Sequence, residues 1–564
     1  MSENKMNNNF KDWDISPTPL PLITLVGDPE ENFYQLGVKD KQNHSDVLVH
    51  MQSQLKIFGP TIDYYLHKIF QGALTHKLQR GEIFSKLLGA YSQGLERNIE
   101  DVALGLLIPE ILSGLGGIKS LGLAKKNPAL FGCSSFFALG GDERPIHGRI
   151  LDFPLFGSYN NFERATICQF KQTPQIFSLS SAGLPYPSIT AMNGNGVTLA
   201  LHQKFNTIFN LKGRSIFEIC FELLCEASSL ESALRFLRKQ NSITAWGINM
   251  SFQNGEVLLV DLCGEDLIYK ELNLHKHKVI YTNNLPIKRH QATNNPFPPG
   301  IINYSKMRER VAEEKIKELK VKGYTTEEEL LKIMATPLEQ RHRRPKDYEI
   351  SPLTSSSLTI ATLRPVAGTA SVVADPAPRL FRQNYHSIYD LWSDAKIRSL
   401  KLPVGNQKKE HVEMNNYYQG MNHLISAQTS MDLGDSQASH HHIQMSVQYF
   451  SENKYHEQFS AQFFFLVLQF LNEKNNKVKF QILDHFKELM PNLPSRLAEH
   501  CLLFIFRLEN ILLKTTSVKE SDFKTSEFKK IFKLENKIPK ILFSHAIKQL
   551  IRPRFDIMDI VYLH

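Results

Sequence analysis

Apolar residues recur at three- and four-residue spacing early in the chain, over residues 46–58, 62–70 and 83–91, which predicts amphipathic helices. A glycine-punctuated stretch, 113–123, leads into Lys125, Lys126, Asn127 and Pro128, and the helical pattern ends there. From Phe131 to about Asn284 the period shortens to two. Residues 166–170, 176–181, 196–201, 247–252, 257–262 and 278–282 predict strands. Turn residues join several of them, including Asn193-Gly194-Asn195-Gly196 and the hairpin signal Gln253-Asn254-Gly255. Two helical patterns, 215–226 and 230–238, interrupt the strands and predict helices lying on a sheet. After a Pro/Asn-rich loop at 294–300 come helical patterns at 305–320 and 326–334. Strand patterns follow at 357–363 and 370–374, the latter closed by Asp375-Pro376. Beyond about Asp394 the chain alternates helical patterns with lysine-rich connections. Phe463, Leu466, Val467, Phe470 and Leu471 share one helical face. The triple histidine His440–His442 lies in a polar stretch and is expected in an exposed loop. Residues 395–564 thus predict a separate helical domain serving as a lid, an oligomerisation element or a targeting element.

Composition narrows the class. With 42% hydrophobic and 22% charged residues in 564, the chain is an ordinary folded protein, which excludes disordered, collagen-like and disulfide-scaffold classes. The formal charge of +9 is small for this length. No helix-turn-helix, zinc-finger or RNA-recognition pattern accompanies it, so surface charge is expected and nucleic acid is not. The longest strongly apolar runs, 463–468 and 501–506, fall well short of the ~20 residues of a membrane-spanning helix. The first residues carry neither the apolar core of a signal peptide nor an arginine-rich transit pattern, so a cytoplasmic location is expected. Six cysteines (Cys133, Cys168, Cys220, Cys225, Cys263 and Cys501) form no CxxC pair. They are expected to be reduced thiols, with no metal site and no redox pair. Five behave as small hydrophobes in apolar surroundings.

Cys133 stands apart. In Phe131-Gly132-Cys133-Ser134-Ser135-Phe136-Phe137-Ala138 it follows a small residue and opens a strand. Gly140-Gly141-Asp142 turns the chain back, and a second strand carries His147, Arg149 and Asp152. In that hairpin a cation and a carboxylate both approach the start of the cysteine strand, and a nearby cation favours the nucleophilic thiolate. Strand alternation places His147 on the same face as Arg149, leaving a Cys–His dyad geometrically open beside a plain core role.

This pattern resembles the cysteine branch of the N-terminal-nucleophile (Ntn) hydrolases. The branch includes choloylglycine hydrolases, penicillin V acylases, acid ceramidase and its acylethanolamine-hydrolysing relative, and acyl-CoA:6-aminopenicillanate acyltransferases. Arg149 and Asp152 stand 16 and 19 residues after Cys133, as in that branch, and Gly148-Arg149-Ile150-Leu151-Asp152 keeps its Gly-Arg-x-x-Asp string. Ile150 departs from the asparagine usual there. Met192-Asn193-Gly194-Asn195-Gly196 is similar to the family's Met-Asn-x-x-Gly turn and implies Asn193 in an oxyanion hole. Thr282-Asn283 resembles a Thr-Asn strand end and implies a second polar group at Asn283, with Asn284 the alternative. Ser305-Lys306-Met307-Arg308 resembles a Ser-x-x-Arg helix start and implies Arg308 as a distal arginine, with Arg310 the alternative.

The resemblance spans about residues 20–385, and the tail matches nothing in these families. It implies an α+β fold, a four-layer αββα sandwich of antiparallel sheets, with a C-terminal α-helical domain added. It also implies self-cleavage between Gly132 and Cys133. Residues 1–132 would form the N-terminal chain, 133–394 the catalytic core and 395–564 the extension. The implied activity is hydrolysis of a linear, non-peptide N-acyl amide through a thioester, or transfer of the acyl group to an amine, with no metal or cofactor. Phe136, Phe137, Phe153, Leu155 and Phe156 either line an acyl pocket or belong to the core. A non-catalytic lipid- or protein-binding module built on the tail is the competing expectation, and a lipid surface is the expected further partner.

Overall fold

A computed structural model describes residues 19–42, 46–53, 64–65, 67–69, 71–72, 82–117, 133–153, 158–159, 162–204, 208–210, 212–283, 308–309, 312–317, 319, 323–334, 357–374, 385–392, 396–401, 410–432, 434–452, 454–524 and 526–550. Their strands form two sheets. The first runs in the order β1 (Leu22–Gly27), β4 (Glu163–Phe170), β5 (Ile176–Ser181), β6 (Thr190–Asn193), β7 (Thr198–Gln203), β8 (Ala245–Ser251), β9 (Glu256–Cys263) and β10 (Asp266–Asn273). The second runs β11 (Val279–Thr282), β2 (Ser134–Leu139), β3 (Pro145–Asp152), β12 (Ser357–Arg364), β13 (Thr369–Val373), β14 (Tyr385–Asp390) and β15 (Lys396–Lys401). Every pairing is antiparallel except β1 on β4, which is parallel. The expectation of purely antiparallel sheets is corrected at that edge, where the mostly helical N-terminal part contributes a strand. The second sheet also runs past residue 394, because β15 pairs with β14.

The sheets pack face to face. Ala165, Ile167, Phe177, Leu179 and Met192 of the first meet Ala361, Leu363, Ala370, Val372 and Tyr389 of the second. With both faces covered, β2 and β3 are buried at every position, and their sequences lack the polar alternation of a half-exposed strand. The outer face of the first sheet is covered by α1 (Pro29–Gln42), α2 (Asp46–Ser53), α3 (Glu82–Gly94), α4 (Ile99–Gly117), α5 (Ile216–Glu226) and α6 (Leu230–Leu237). A short α7 (Leu274–His277) links β10 to β11. Outside the second sheet lie Ala312, Ile316 and Leu319, then α8 (Glu327–Met334). Among the described residues seven further helices join that layer: α9 (Glu410–Asp432), α10 (Ser436–Glu452), α11 (Glu457–Asn472), α12 (Asn476–Leu489), α13 (Ser495–Leu513), α14 (Ser526–Glu535) and α15 (Lys540–Leu550). Their apolar faces join Phe136, Ala138, Ile146 and Ile150 in one cluster, so the tail shares a core with the second sheet. Ile425 of α9 also reaches the cluster that holds Met51 of α2.

α4 runs through Pro109 into the glycine-punctuated stretch as far as Gly117. One sequence expectation changes here. His440–His442 lie within α10, not in a loop, and His423 of α9 sits 3.0 Å from His442, Nδ1 to Nδ1. Helix seeds at 62–70 are described only at 64–65 and 67–69. Among the described residues no helix is long and apolar enough to cross a membrane.

The N-terminal segment is tied into this frame by polar and steric constraints. Asp40 of α1 is fully buried and forms an ion pair with Arg164 of β4. Tyr91 of α3 donates to the same carboxylate at 2.6 Å. Removing one partner of such a pair costs about 3–5 kcal/mol, because the other charge stays buried. Helices α1 and α3 cross at two glycines. A Cβ on Gly94 would lie 2.1 Å from the Tyr34 carbonyl oxygen, and one on Gly37 would lie 2.2 Å from that of Tyr91. Backbone atoms cannot yield as side-chain ends can. Gly94→Ala should therefore lower the unfolding free energy by about 1–3 kcal/mol in denaturant titration, and unchanged stability would rule out the close crossing.

Candidate active site

Cys133 sits one residue ahead of β2, and its strand register sets what surrounds it. Ser134 pairs with Ile150 and Ser135 with Arg149. Continuing that register by one residue puts Cys133 opposite Leu151, with Asp152 just beyond. Cys133 is 5% exposed and lines a cavity of roughly 520 Å³ of empty space, its open mouth included. Met51, Pro109, Leu201, Phe217 and Trp246 form much of the wall together with Gln203, whose Nε2 donates to the Pro109 carbonyl at 3.1 Å. A small-molecule pocket has this character: mostly apolar, with few polar groups that fix orientation. Phe153 lines it too, whereas Phe136 and Phe137 are core residues. Leu155 and Phe156 lie outside the described residues.

Asp152 is fully buried at the end of β3. Arg308 Nη2 donates to its Oδ2 at 2.6 Å and to Ser134 Oγ at 3.0 Å, and Ser357 Oγ donates to its Oδ1 at 2.5 Å. One guanidinium nitrogen therefore spans the carboxylate and the residue that follows Cys133. Burial pushes the Asp152 carboxyl up, while Arg308 and the Ser357 hydroxyl pull it back. The Tyr281 hydroxyl lies 3.0 Å from Ser134 Oγ and also bonds the side chain of Asn283. Asn283 is buried, and its carbonyl accepts from Lys204 Nζ at 3.3 Å. Lys204 is in turn ion-paired with Asp261 of β9 at 3.3 Å. Asp152 is thus linked to Ser134, beside Cys133, through Arg308, and Asn283 through Tyr281.

Arg149 projects from the other face of β3, between the sheets. Its Nη2 donates to the carbonyl of Leu201, a cavity residue, at 2.5 Å, and its Nη1 donates to His202 Nε2 at 2.8 Å. Arginine can only donate, so the His202 proton is assigned to Nδ1. Ser135 Oγ lies 2.8 Å from His202 Nε2 and 3.1 Å from His147 Nε2. His147 Nδ1 lies 2.8 Å from Thr198 Oγ1, which is 2.6 Å from Ser251 Oγ. Both nitrogens of His147 are engaged in this chain, and its ring lies against Phe137, so the structure places it in the core and not in a dyad with Cys133.

Asn193 is the residue the structure does not bring to the site. It ends β6, and its Nδ2 donates to the carbonyls of Leu224 and Ala227 at 2.8 and 2.9 Å, holding the end of α5. Its Oδ1 accepts from the Asn195 and Val197 amides. Both ends of the amide are spent on turn and helix, far along the β6–β7 hairpin from Leu201 and Gln203. The structure therefore places the Asn193 amide on the hairpin turn and the end of α5. Residues missed in the sequence include Gln203, Ser134, Tyr281, His202 and Ser357. The period-two pattern that predicted β7 would have placed Leu201 and Gln203 on one face, but nothing local marks that face as the cavity. Gly132, Asn284, Ser305 and Arg310 lie outside the described residues. Cys168, Cys220, Cys225 and Cys501 are free thiols. Burial pushes the Cys225 and Cys501 thiols up to about 12, and those of Cys168 and Cys220 higher still. Among the described residues no group of three or more His, Cys, Asp or Glu side chains could hold a metal.

No protein-family model and no curated protein matches the chain. Among solved structures, it is similar to a Caenorhabditis elegans N-acylethanolamine-hydrolyzing acid amidase (NAAA) ortholog, at 15% identity and TM-score 0.29 over 42% of this chain and 93% of that one. It is also similar to penicillin V acylase from Agrobacterium tumefaciens, at 13% identity and TM-score 0.26 over 49% of this chain and 89% of that one.

The polar chain between the sheets sets a pH dependence. Burial pushes His147 and His202 well below the usual histidine range, with Arg149 adding to the effect. The unfolded chain therefore takes up protons below about pH 6.5 that the folded chain refuses, and stability falls as pH drops. From pH 7.5 to 5.5 these two histidines should together remove about 3 kcal/mol of unfolding free energy. In denaturant titrations His147→Asn or His202→Asn should each remove about half of that loss. An unaltered slope in both variants would contradict the buried neutral assignment.

Proposed function

We propose that the chain is a cysteine Ntn hydrolase that cuts itself before Cys133 and then cleaves a linear N-acyl amide with an apolar acyl group. The observation that carries this reading is the pairing of Cys133, opening on an apolar cavity, with a buried carboxylate joined through Arg308 to the very next residue. Cys168 and Cys220 are not part of that cavity's lining and are simply enclosed, Cys220 with the buried Glu110 carboxylate near it.

In this mechanism the free α-amine of Cys133, oriented by Asp152, takes the proton from its own thiol. The thiolate attacks the amide carbonyl carbon, and the carbonyl electrons move onto oxygen. Asn283 is the hydrogen-bond donor assigned to that oxyanion, while Gln203, whose Nε2 donates to the Pro109 carbonyl at 3.1 Å, lines the cavity. Such a donor is worth roughly 10²–10³ in rate. Arg149 supplies positive potential beneath the cavity wall. Arg308 is a positioning residue that holds the carboxylate. The C–N bond breaks as the ammonium returns its proton to the leaving nitrogen, which leaves a thioester on Cys133. Water, deprotonated by the same amine, attacks the thioester and releases the acid and the thiol. The cavity wall offers aliphatic and aromatic surface to the acyl group, which favours acyl amides over polar peptides.

Intact-mass analysis with an activity screen on N-acyl amides tests the reading. The wild type should appear as two chains of 132 and 432 residues and release free acid. Cys133→Ala should remain a single chain without activity. Full activity in that variant, or an active single-chain wild type, would refute the proposal.

A further inference from the structure

The end of the helical tail carries a feature that catalysis does not use. Leu513 closes α13 and is 49% exposed, and Leu534 in the last turn of α14 is 51% exposed. Ile541 and Leu542, in the first turn of α15, are 92% and 55% exposed. Lys540 Nζ donates to the carbonyl of Lys514, joining the start of α15 to the end of α13. The turn after α14 is closed by backbone bonds from Lys537 to Leu534 and from Ile538 to Glu535. The end of α13, the turn after α14 and the start of α15 thus lie together, and each carries exposed aliphatic residues.

Charge at this tip has one sign. Residues 534–542 read Leu-Glu-Asn-Lys-Ile-Pro-Lys-Ile-Leu, and the one acid among them, Glu535, turns inward. It is buried and accepts from Arg507 Nε at 2.9 Å and from Nη2 at 2.5 Å. Lys514, Lys537 and Lys540 make no ion pair among the described residues, whereas nearby Lys533 is paired with Glu520 at 2.9 Å. Three lysines without an ion pair therefore stand at this tip, Lys514 and Lys540 each bonded to a backbone carbonyl at the end of α13. Protein-binding hot spots favour Trp, Tyr and Arg, and residues 534–542 contain none of these. Aliphatic side chains that enter an acyl layer, with lysines left at the level of anionic headgroups, match the tip in both shape and charge.

We propose that the tip formed by Leu513, Leu534, Ile541 and Leu542, with Lys514, Lys537 and Lys540, docks the protein on an anionic lipid bilayer. Binding is independent of the Cys133 chemistry and is read without any activity. Full-length protein is sedimented with vesicles of phosphatidylcholine alone and of phosphatidylcholine containing phosphatidylserine. The protein should pellet with the anionic vesicles, less so as salt rises, and stay in solution with the neutral ones. Combining Lys514→Ala, Lys537→Ala and Lys540→Ala should weaken binding roughly 100-fold. Ile541→Asp with Leu542→Asp should abolish it and keep the wild-type unfolding temperature, because those two side chains are exposed. Three results would each overturn the proposal. One is equal binding to neutral and anionic vesicles, and another is binding that both variants retain. The third is self-association that Ile541→Asp disperses without any vesicle binding, which would make the tip a contact between copies.

Discussion

Asp152 is buried at the end of β3, and a carboxylate there is tolerated because separate parts of the chain converge on it. Arg308 arrives from a helical segment more than 150 residues later, and Ser357 from the first position of β12. The cost of taking an isolated ion out of water is several kcal/mol, and only close, hydrogen-bonded partners offset it. The interaction therefore acts as a geometric lock. If β2, β3, β12 or the segment at Arg308 shifted, a buried charge would lose its partner. Because the same Arg308 nitrogen binds Ser134, the lock fixes the backbone next to Cys133 as well.

The part of the chain before Cys133 is woven into this frame. It supplies β1 to the edge of the first sheet, Asp40 to Arg164, and Met51 and Pro109 to the cavity wall. A break ahead of Cys133 would leave two chains that share one core and one cavity, each stabilised by surface buried against the other. The C-terminal helices add a further tie, since their cluster runs continuously into the outer face of the second sheet. The proposed lipid-facing tip sits at the end of this helical layer, in the last turns of α13 and α14 and the first of α15.

Much of the fold was legible because its strands are short and bounded by turn residues. β5 runs over residues 176–181 as its pattern predicts, and the helix patterns at 215–226 and 230–238 differ from α5 and α6 by one residue each. β10 escaped because it is an edge strand exposed along much of its length, so its sequence lacks a clean alternation. β1 escaped because its paired residues on β4 lie 143 positions further along (Leu22 with Ala165), and parallel pairing leaves no hairpin signal. Within the site, Cys133, Arg149 and Asp152 were legible because they share a local hairpin. Asn193 looked equally legible, yet its Asn-Gly turn serves α5, and only the three-dimensional course of β7 shows that Gln203 faces the cavity. A motif reports a turn reliably; which end of the strand meets the reacting group depends on packing between distant segments.

The central claim is that Cys133, with its own backbone nitrogen freed, carries the acyl group. The most direct measurement is peptide mapping by mass spectrometry of enzyme quenched in acid during turnover of an N-acyl amide. The account predicts a peptide that begins at Cys133, has a free α-amine and is heavier by the acyl group on sulfur. An acyl adduct on another residue, or turnover by protein whose Gly132–Cys133 bond is intact, would contradict it.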